Sequence, residues 1–284
     1  MAFQSVKSLL LAAQDKPLWQ AIQENDCQDQ GITAEESWEK MSSLWQAMLR
    51  SVHSYDAHRR SASGLVGGAG NSMEQVRDPL CGAFVQQIIA TALKTGECNA
   101  CMGCIVAAPT AGASGVMPAV LIPTQEKLSL SDEKMVQALY VAAGFGQVIA
   151  FRASISGAEG GCQAEIGSAS AMAAAALVFL QGGTSEQAAN ACAMAIKNLL
   201  GLVCDPVAGL VEVPCVKRNV VGAMNALSCA EMALAGISSA IPCDEVIDAM
   251  RAVGDCLPAA LRETGMGGLA ATPTARAFTQ QFFK

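Results

Sequence analysis

The chain has 284 residues and a formal net charge of −7, and this acidic balance excludes the basic surface that nucleic-acid binding requires. Hydrophobic residues make up 52% of the sequence and charged residues only 15%, below the roughly 25% that is usual for soluble domains. So apolar a chain predicts tightly packed helices with small side chains at their contacts, and a surface that is partly covered by a partner.

The first sixty residues carry many of the charges and all three tryptophans. They predict an N-terminal helical arm, residues 1–60, ahead of one domain that spans residues 61–284. Within the arm, the pattern Thr33–Glu36 is typical of a capping box that starts a helix continuing to about Arg50. The short apolar run near the N-terminus lacks a signal-peptide cleavage pattern, so a cytoplasmic location is expected.

Further helices are predicted along the rest of the chain from apolar periodicity and from helix start signals. They are Pro79–Leu93, Ser131–Phe151, Ser168–Leu180, Thr184–Leu200, Asn219–Ala235 and Pro242–Val253. The pattern Thr184–Gln187 is a second capping box at the start of its helix. The glycine-rich stretch Ser61–Ser72 is predicted to be a loop or hinge, and the tail from Gly265 a loop that could end in a short turn. Since no alternating run is long enough for a sheet, the predicted fold is all-α: a single domain of packed, largely buried helices with an N-terminal helical arm.

Three spans without charged residues are long enough to cross a membrane. They are Cys98–Gln125, Met135–Phe151 and Ile166–Ser185. The first contains three prolines, the third runs into two glycines, and none is flanked by the Trp and Tyr residues of a membrane interface. We therefore expect buried core helices and no membrane.

Twelve cysteines are the most informative residues of the sequence. A reducing cytosol does not favour disulfides, so metal binding or catalysis is the better use for some of these thiols. Six are predicted to be packed thiols: Cys27, Cys81, Cys192, Cys229, Cys243 and Cys256. Cys98, Cys101 and Cys104 form a C-x-x-C-x-x-C run of the kind that opens an iron–sulfur ligand set. Cys162, Cys204 and Cys215 each lie at a Gly- or Pro-marked break beside a predicted helix, where ligands can converge.

Three cysteines on a four-iron cluster leave one iron without a protein ligand. Such an iron can bind a substrate hydroxyl as a Lewis acid, which suits loss of water from a hydroxy acid when a base removes the neighbouring proton. Charged residues close to the three loop cysteines are costly in so apolar a chain unless they have a task. They are Glu165, Asp205, Glu212, Lys217 and Arg218. The only histidines, His53 and His58, belong to the arm, which excludes a His-rich zinc site.

Five segments have a distinctive sequence: SISGAEGGCQAEIGSASAMAAAA, GLVCDPVAGLVEVPCVKRN, AAPTAGASGVMPA, IPCDEVIDAM and RETGMGGLAATPT. They resemble the bacterial iron–sulfur L-serine dehydratases, and best the alpha chain of the two-subunit form. The similarity runs from about Ser63 to Thr274, whereas the first sixty residues match only in length and character. The resemblance implies a [4Fe–4S] cluster held by Cys162, Cys204 and Cys215. Relatives do not keep cysteines at 98, 101 and 104, so these are expected to support a helix instead.

The resemblance also implies a lyase that deaminates L-serine to pyruvate and ammonia without pyridoxal phosphate. A beta subunit would complete the enzyme, because the family's histidine-bearing motifs are absent here, and the catalytic base could come from that subunit. In the loop Pro109–Gly115, Thr110, Gly112 and Ser114 would hold the substrate carboxylate through hydroxyls and backbone N–H groups. Lys217 or Arg218 would pair with the same carboxylate. Two alternatives stay open. The loop could be only a tight turn before the helix at Pro118, and the two cations could have a surface or cluster-supporting role.

Two other functions remain open from the sequence. An iron–sulfur L-cysteine desulfidase would use the same loop cysteines, since thiolate sulfur suits iron. A non-catalytic electron-transfer or redox-sensing protein would use the run Cys98, Cys101 and Cys104 for a fully ligated cluster. Turnover of L-serine against L-cysteine separates the first of these from the dehydratase, and a cluster that changes redox state without binding serine would identify the second.

Overall fold

The computed structural model describes residues 3–284, and within this range the protein is built from thirteen α-helices without a β-strand. The helices are α1 (Val6–Ala12), α2 (Leu18–Gln30), α3 (Ala34–His53), α4 (Ala69–Glu74), α5 (Gly82–Ala100), α6 (Val116–Leu128), α7 (Asp132–Arg152), α8 (Gly157–Gly160), α9 (Ser168–Leu180), α10 (Ser185–Asn198), α11 (Cys215–Leu234), α12 (Cys243–Cys256) and α13 (Pro273–Phe282). A π-helix, Gln163–Gly167, runs directly into α9. The prediction of an all-α single domain is confirmed.

Both predicted capping boxes are present and complete. The Glu36 N–H donates to Thr33 Oγ1 at 3.2 Å, and the Thr33 N–H donates to Glu36 Oε2 at 2.9 Å. At the start of α10, the Gln187 N–H donates to Thr184 Oγ1 at 3.1 Å and the Thr184 N–H donates to Gln187 Oε1 at 2.9 Å. These bonds satisfy N–H groups that the first turn of a helix leaves without partners. Because the residues that form them are close in sequence, the pattern alone predicts where each helix starts.

Helix α9 lies at the centre of the fold. Every residue of it except Phe179 is buried, and α7, α10 and α11 all pack against it. Its alanines allow this close approach from several sides, as expected for a helix that is apolar all round. Both α7 and the π-helix with α9 are apolar and long enough to cross a membrane, but 67% and 89% of their apolar windows are buried inside the protein. Packing against other helices therefore accounts for their composition.

The N-terminal helices α1, α2 and α3 pack onto α7. At Gly144 of α7 a Cβ would collide with Leu9 and Ile22, so the absence of a side chain permits close packing of α1 and α2. Trp45 of α3 is fully buried and donates from Nε1 to Asp132 Oδ1 at 3.0 Å. The arm thus shares the hydrophobic core of the remaining chain. The division at residue 60 stays a prediction.

The helix prediction was wrong in several places. Helix α5 runs from Gly82 to Ala100 instead of Pro79 to Leu93, and α11 begins at Cys215 rather than Asn219. The glycine-rich stretch runs into α4, and the tail, predicted to be a loop with at most a short turn, forms α13. Its start carries ordinary signals, since Thr272 accepts from the Ala275 N–H at 3.4 Å and a proline occupies the first helical position.

Candidate active site

The three predicted cluster ligands lie together, although they belong to three separate segments. Cys162 directly precedes the π-helix, Cys204 lies in the loop between α10 and α11, and Cys215 is the first residue of α11. Each thiol is near enough to another to influence its ionisation, because Cys162 and Cys215 both raise the pKa of Cys204. All three are free thiols. The fold therefore brings this set of cysteines to one place.

Burial dominates the ionisation of these thiols. It raises the pKa of Cys162 to about 11 and that of Cys215 to about 12. The pKa of Cys204 is also raised, chiefly by burial and then by Cys162 and Glu165. Such thiols remain protonated at neutral pH, and only a positively charged metal group would offset the cost of ionising three of them side by side.

The side chain of Gln163 fixes the turn that presents Cys162. Its Nε2 donates to the Met250 carbonyl of α12 at 2.9 Å, and its Oε1 accepts from the Gly201 N–H at 2.8 Å. The Gln163 backbone N–H also donates to the Leu202 carbonyl at 2.9 Å. One buried amide thus joins the Cys162 turn to α12 and to the loop that carries the second cysteine.

The C-terminal segment fixes the Cys204 loop. The Cys204 N–H donates to the Leu261 carbonyl at 2.9 Å, and the Glu263 N–H donates to the Cys204 carbonyl at 2.8 Å, which forms an isolated β-bridge. The next residue, Asp205, accepts from the Leu269 N–H at 2.8 Å. Residues about sixty positions further along the chain therefore complete this part of the site.

Arg218, one of the two predicted substrate cations, is engaged by the protein itself. Its Nη2 lies 2.9 Å from Asp205 Oδ1, and its Nη1 donates to the Val203 carbonyl at 2.8 Å. It follows Cys215 by one helical turn, and its charge lowers the pKa of both Cys162 and Cys215 against the larger effect of burial. The structure places Arg218 among the cysteines, where it favours their thiolate forms.

Lys217, the other predicted substrate cation, is exposed and lines a separate cavity of about 150 Å³ beneath Leu65 and Val66. The largest cleft described, of about 960 Å³, lies among α1, α10 and α12. None of the predicted site residues lines that cleft. Cleft size alone would therefore point to a part of the molecule other than the cysteine site.

The loop Pro109–Gly115 is clamped against the start of α11 by Asn219. Its Oδ1 accepts from the Gly115 N–H at 2.8 Å, while its Nδ2 donates to the Gly112 carbonyl at 2.8 Å and to the Cys215 carbonyl at 3.0 Å. Asn219 is only 1% exposed. Sequence reasoning missed this residue, although an amide one turn after a candidate ligand on the same helix face was an available signal.

Two hydroxyls of this loop, those of Thr110 and Ser114, are buried without a hydrogen bond of ordinary geometry. The Thr110 hydroxyl nevertheless lies close enough to Glu165 to lower the pKa of that carboxylate. Buried polar groups are rarely left unpaired, so Ser114 is the hydroxyl that is free for a ligand. Gly112 lies between these two residues, and a Cβ at this position would be 3.5 Å from Glu165 Oε1. Thr110 and Gly112, two of the residues predicted to bind substrate, therefore lie beside the Glu165 carboxylate of the π-helix.

Glu165 lies beside the cysteines, with Oε2 4.0 Å from Cys204 Sγ. Burial raises its pKa, the Thr110 hydroxyl opposes this increase, and Glu263 adds to it. At Gly157 a Cβ would lie 2.6 Å from Glu165 Oε2 and 2.9 Å from Cys204 Sγ, so only glycine leaves room for them. The residue belongs to a π-helix, a local irregularity that often marks functional sites. The sequence alone gave it no specific role.

Among residues 3–284, no three His, Cys, Asp or Glu side chains are gathered so as to hold a metal ion. A single ion draws thiolates to within about 2.3 Å of itself, whereas a cluster of several irons fills a wider space between its cysteines. Cys162, Cys204 and Cys215 are neighbours with an arginine beside them, and cysteine thiolates are the ligands that iron–sulfur clusters use. The [4Fe–4S] cluster stays a prediction.

The run Cys98, Cys101 and Cys104 was expected to support a helix, and the three residues lie at the end of α5 without all belonging to it. Cys98 belongs to the last turn of α5, Cys101 is its C-cap residue and Cys104 lies beyond the helix.

Of the six cysteines predicted to be packed, three are buried: Cys192, Cys229 and Cys243. Cys27 is half-buried, while Cys81 and Cys256 are exposed, so packing does not explain the last two. Both histidines, His53 and His58, are exposed.

Comparison with known proteins gives the family. Residues 13–270 match the family described as the serine dehydratase alpha chain. The chain is 49% identical over 288 residues to the probable L-serine dehydratase alpha chain of Bacillus subtilis (strain 168), which covers 99% of this chain and 95% of that protein. It is 58% identical over 197 residues to the probable L-serine dehydratase alpha chain of Latilactobacillus sakei, which covers 69% of this chain and 94% of that protein. It is 52% identical over 205 residues to the L-serine dehydratase alpha chain of Peptoniphilus asaccharolyticus, which covers 72% of this chain and 70% of that protein.

This chain belongs to the serine dehydratase alpha-chain family, as its motifs predicted. The match begins at residue 13 and so includes most of the N-terminal arm, beyond the range in which the motifs were recognised.

Proposed function

We propose that this chain is the alpha subunit of a cytoplasmic L-serine dehydratase, which deaminates L-serine to pyruvate and ammonia. The relatives named above support the activity, since they are named as L-serine dehydratase alpha chains. The observation that carries the proposal is the convergence of Cys162, Cys204 and Cys215 beside Glu165.

In this proposal the three cysteines hold a [4Fe–4S] cluster. When bound, the cluster supplies a Lewis acid at the iron that lacks a cysteine, which makes hydroxide a better leaving group. The role of Arg218 is to favour the thiolate form of Cys162 and Cys215, because its charge opposes the effect of burial on their pKa. Asp205 holds the guanidinium in that position.

The loop Pro109–Gly115 binds the carboxylate of serine. The Ser114 hydroxyl is free to donate to it, the Thr110 hydroxyl can turn to it from Glu165, and backbone N–H groups beside Gly112 add to the attraction. Asn219 prevents the loop from moving away from α11, because it bonds to both ends of the Gly112–Gly115 turn. Substrate placed here has its α-carbon between the loop and the cysteines.

Glu165 is the residue of this chain suited to move the α-proton. A carboxylate whose pKa is raised by burial is a stronger base than an exposed one, and it can hold the proton at Oε1, which faces Gly112. Loss of this proton and of hydroxide from serine removes one water and gives aminoacrylate. Aminoacrylate tautomerises to an imine, and a second water hydrolyses the imine to pyruvate and ammonia.

A beta subunit completes the enzyme in this proposal. The name alpha chain in the relatives implies a second chain, and several apolar side chains close to the site are exposed. They are Val211, Met266 and Leu269. Val211 lies against Gly112, and Leu269 donates its backbone N–H to Asp205, so a partner on this face would cover the site and exclude water.

The test is anaerobic co-expression with a beta chain, followed by measurement of iron and sulfide content, absorption of the cluster and pyruvate formation. Substitution to serine of any one of Cys162, Cys204 and Cys215 should abolish both the cluster and turnover. Cys101→Ser is the matched control and should retain both. Retention of the cluster in any of the three variants contradicts the ligand assignment.

The same preparation separates the alternatives. Faster turnover of L-cysteine than of L-serine would establish a desulfidase, and loss of the cluster in Cys101→Ser would favour the electron-transfer function. Full activity of the chain without a beta subunit would refute the proposal that a beta subunit is required. Glu165→Gln tests the base: the expected result is an intact cluster absorption with at least a hundredfold loss of turnover.

A further inference from the structure

The C-x-x-C-x-x-C run, which the proposed function does not use, has a defined geometry at the end of α5. The Gly103 N–H donates to the Cys98 carbonyl at 2.7 Å, and the Met102 N–H donates to the Asn99 carbonyl at 3.0 Å. Met102 adopts the left-handed conformation, with φ of 58°. These three features define a Schellman motif, in which the chain folds back over the last helical turn.

The fold-back places Cys104 against Cys98. The Cys98 Sγ lies 3.7 Å from the Cys104 carbonyl oxygen. At Gly103 a Cβ would collide with Cys98 Sγ, so glycine leaves the space that this thiol occupies. The Cys98 thiol therefore lies beside the backbone of Cys104, and a disulfide between the two residues requires a Cα separation of about 4.4–6.8 Å.

We propose that Cys98 and Cys104 form a reversible disulfide across this turn, so that the end of α5 is a redox modification site. Its substrate is a small-molecule disulfide such as oxidised glutathione. The proposal does not depend on the proposed function, because neither cysteine belongs to the cluster set.

Exposure assigns the two roles. Cys104 is exposed and Cys98 is half-buried, whereas Cys101 is only 7% exposed. Burial raises the pKa of the Cys98 thiol, and its neighbours Cys104 and Cys101 add to this effect. The accessible thiol is therefore the one that reacts first, and the protected thiol resolves the intermediate.

The exchange balances as follows. The Cys104 thiolate attacks one sulfur of the oxidised glutathione, which forms a mixed disulfide and releases one glutathione thiolate. The Cys98 thiolate then attacks the Cys104 sulfur, which breaks the mixed disulfide and releases the second glutathione thiolate. Two protons from the protein thiols end on the two glutathiones. The protein loses two electrons, and the oxidised glutathione gains them.

The consequence lies in the segment that follows. Residues 105–108 connect this turn to the loop Pro109–Gly115 of the candidate site. A covalent link between positions 98 and 104 would restrict the start of that segment, since it prevents the helix end from unwinding. The disulfide thus forms four residues before the loop that carries the two unpaired hydroxyls.

The experiment uses the complete chain with its metal content intact, equilibrated anaerobically in glutathione buffers of increasing oxidised fraction. After acid quenching, free thiols are alkylated and the protein is digested with trypsin. Cleavage after Lys94 and Lys127 gives one peptide that contains Cys98, Cys101 and Cys104 and no other cysteine. The expected result is that two of its three thiols escape alkylation, and that dithiothreitol restores both.

Fragmentation of the wild-type peptide identifies the pair without any substitution, so the result does not depend on a variant that folds. Cys101→Ser should still form the disulfide, while Cys98→Ser and Cys104→Ser should not. A peptide that stays fully alkylated at every glutathione ratio overturns the proposal. So does a link that includes Cys101 in the wild type, because the geometry assigns that thiol no partner role.

Discussion

The clamp formed by Asn219 gives the sharpest test of the site geometry, through the substitution Asn219→Asp. The two side chains have nearly the same shape, so packing is kept. In the wild type the carbonyls of Gly112 and Cys215 accept from Nδ2 at 2.8 and 3.0 Å. The change replaces this donor by a carboxylate oxygen, which cannot donate to them. The contact from the Gly115 N–H to Oδ1 is retained.

The magnitude follows from the two hydrogen bonds that are lost. Leaving a buried partner unsatisfied costs about 1–3 kcal/mol each, and Asn219 is only 1% exposed. The expected loss in the free energy of unfolding at pH 8 is therefore about 4 kcal/mol, which corresponds to a fall in Tm of roughly 10 °C for a chain of this size. Burial and the two carbonyls raise the pKa of the new carboxyl above its ordinary value of about 3.9.

The sign of the pH dependence follows from this raised pKa. Below it the carboxyl is protonated and donates one hydrogen bond again, so the deficit relative to wild type should shrink as the pH falls from 8 to 5. Urea unfolding followed by circular dichroism measures this at both pH values. Asn198→Asp makes the same chemical change at an exposed position and should cost no more than about 1 kcal/mol. Equal stability of Asn219→Asp and wild type at both pH values would refute the clamp.

Three further substitutions test other parts of the structure. Asp205→Asn leaves the half-buried Arg218 without its counter-charge and should lower the free energy of unfolding by about 3–5 kcal/mol in urea, whereas Glu24→Gln, which breaks an exposed ion pair, should lower it by about 1 kcal/mol at most. Met102→Gly relieves a left-handed residue whose side chain is 88% exposed, and should raise the free energy of unfolding by about 0.5–1 kcal/mol; Met102→Ala should give no gain. Glu165→Gln removes a carboxyl group whose pKa is raised on folding, and this group costs the wild type stability as it ionises at higher pH. The stability of the variant relative to wild type should therefore increase from pH 5 to pH 8, and a difference independent of pH in thermal unfolding would contradict the burial of that carboxylate.

The sequence by itself determined the class of fold and several helix starts. Capping residues act on the nearest turn, so Thr33 and Thr184 located α3 and α10 without any knowledge of packing. The long apolar run of α9 predicted a buried helix, because such a helix has no polar face to turn to solvent. Helix ends were less certain. Helix α5 ends at a turn in which Met102 adopts the left-handed conformation, and the sequence does not predict such an end because glycine or asparagine usually occupies this position.

The motifs also identified the family and proposed the three loop cysteines. What they could not provide was the set of partners around those cysteines, since each partner comes from a distant part of the chain. Asp205 and Arg218 meet across a loop, and Leu269 reaches the same carboxylate from the C-terminal segment. No local pattern records such long-range hydrogen bonds.

Only the tertiary structure decided which charged residues belong to the site. Lys217 and Arg218 are adjacent in sequence, yet the rotation of about 100° per residue along α11 sends one to the surface and the other toward the cysteines. Glu165 and Asn219 gain their roles in the same way, the first by burial beside Cys204 and the second by bonding to a loop more than a hundred residues earlier. Sequence fixes the chemistry of a side chain and its place along an element, whereas packing fixes the environment that tunes it.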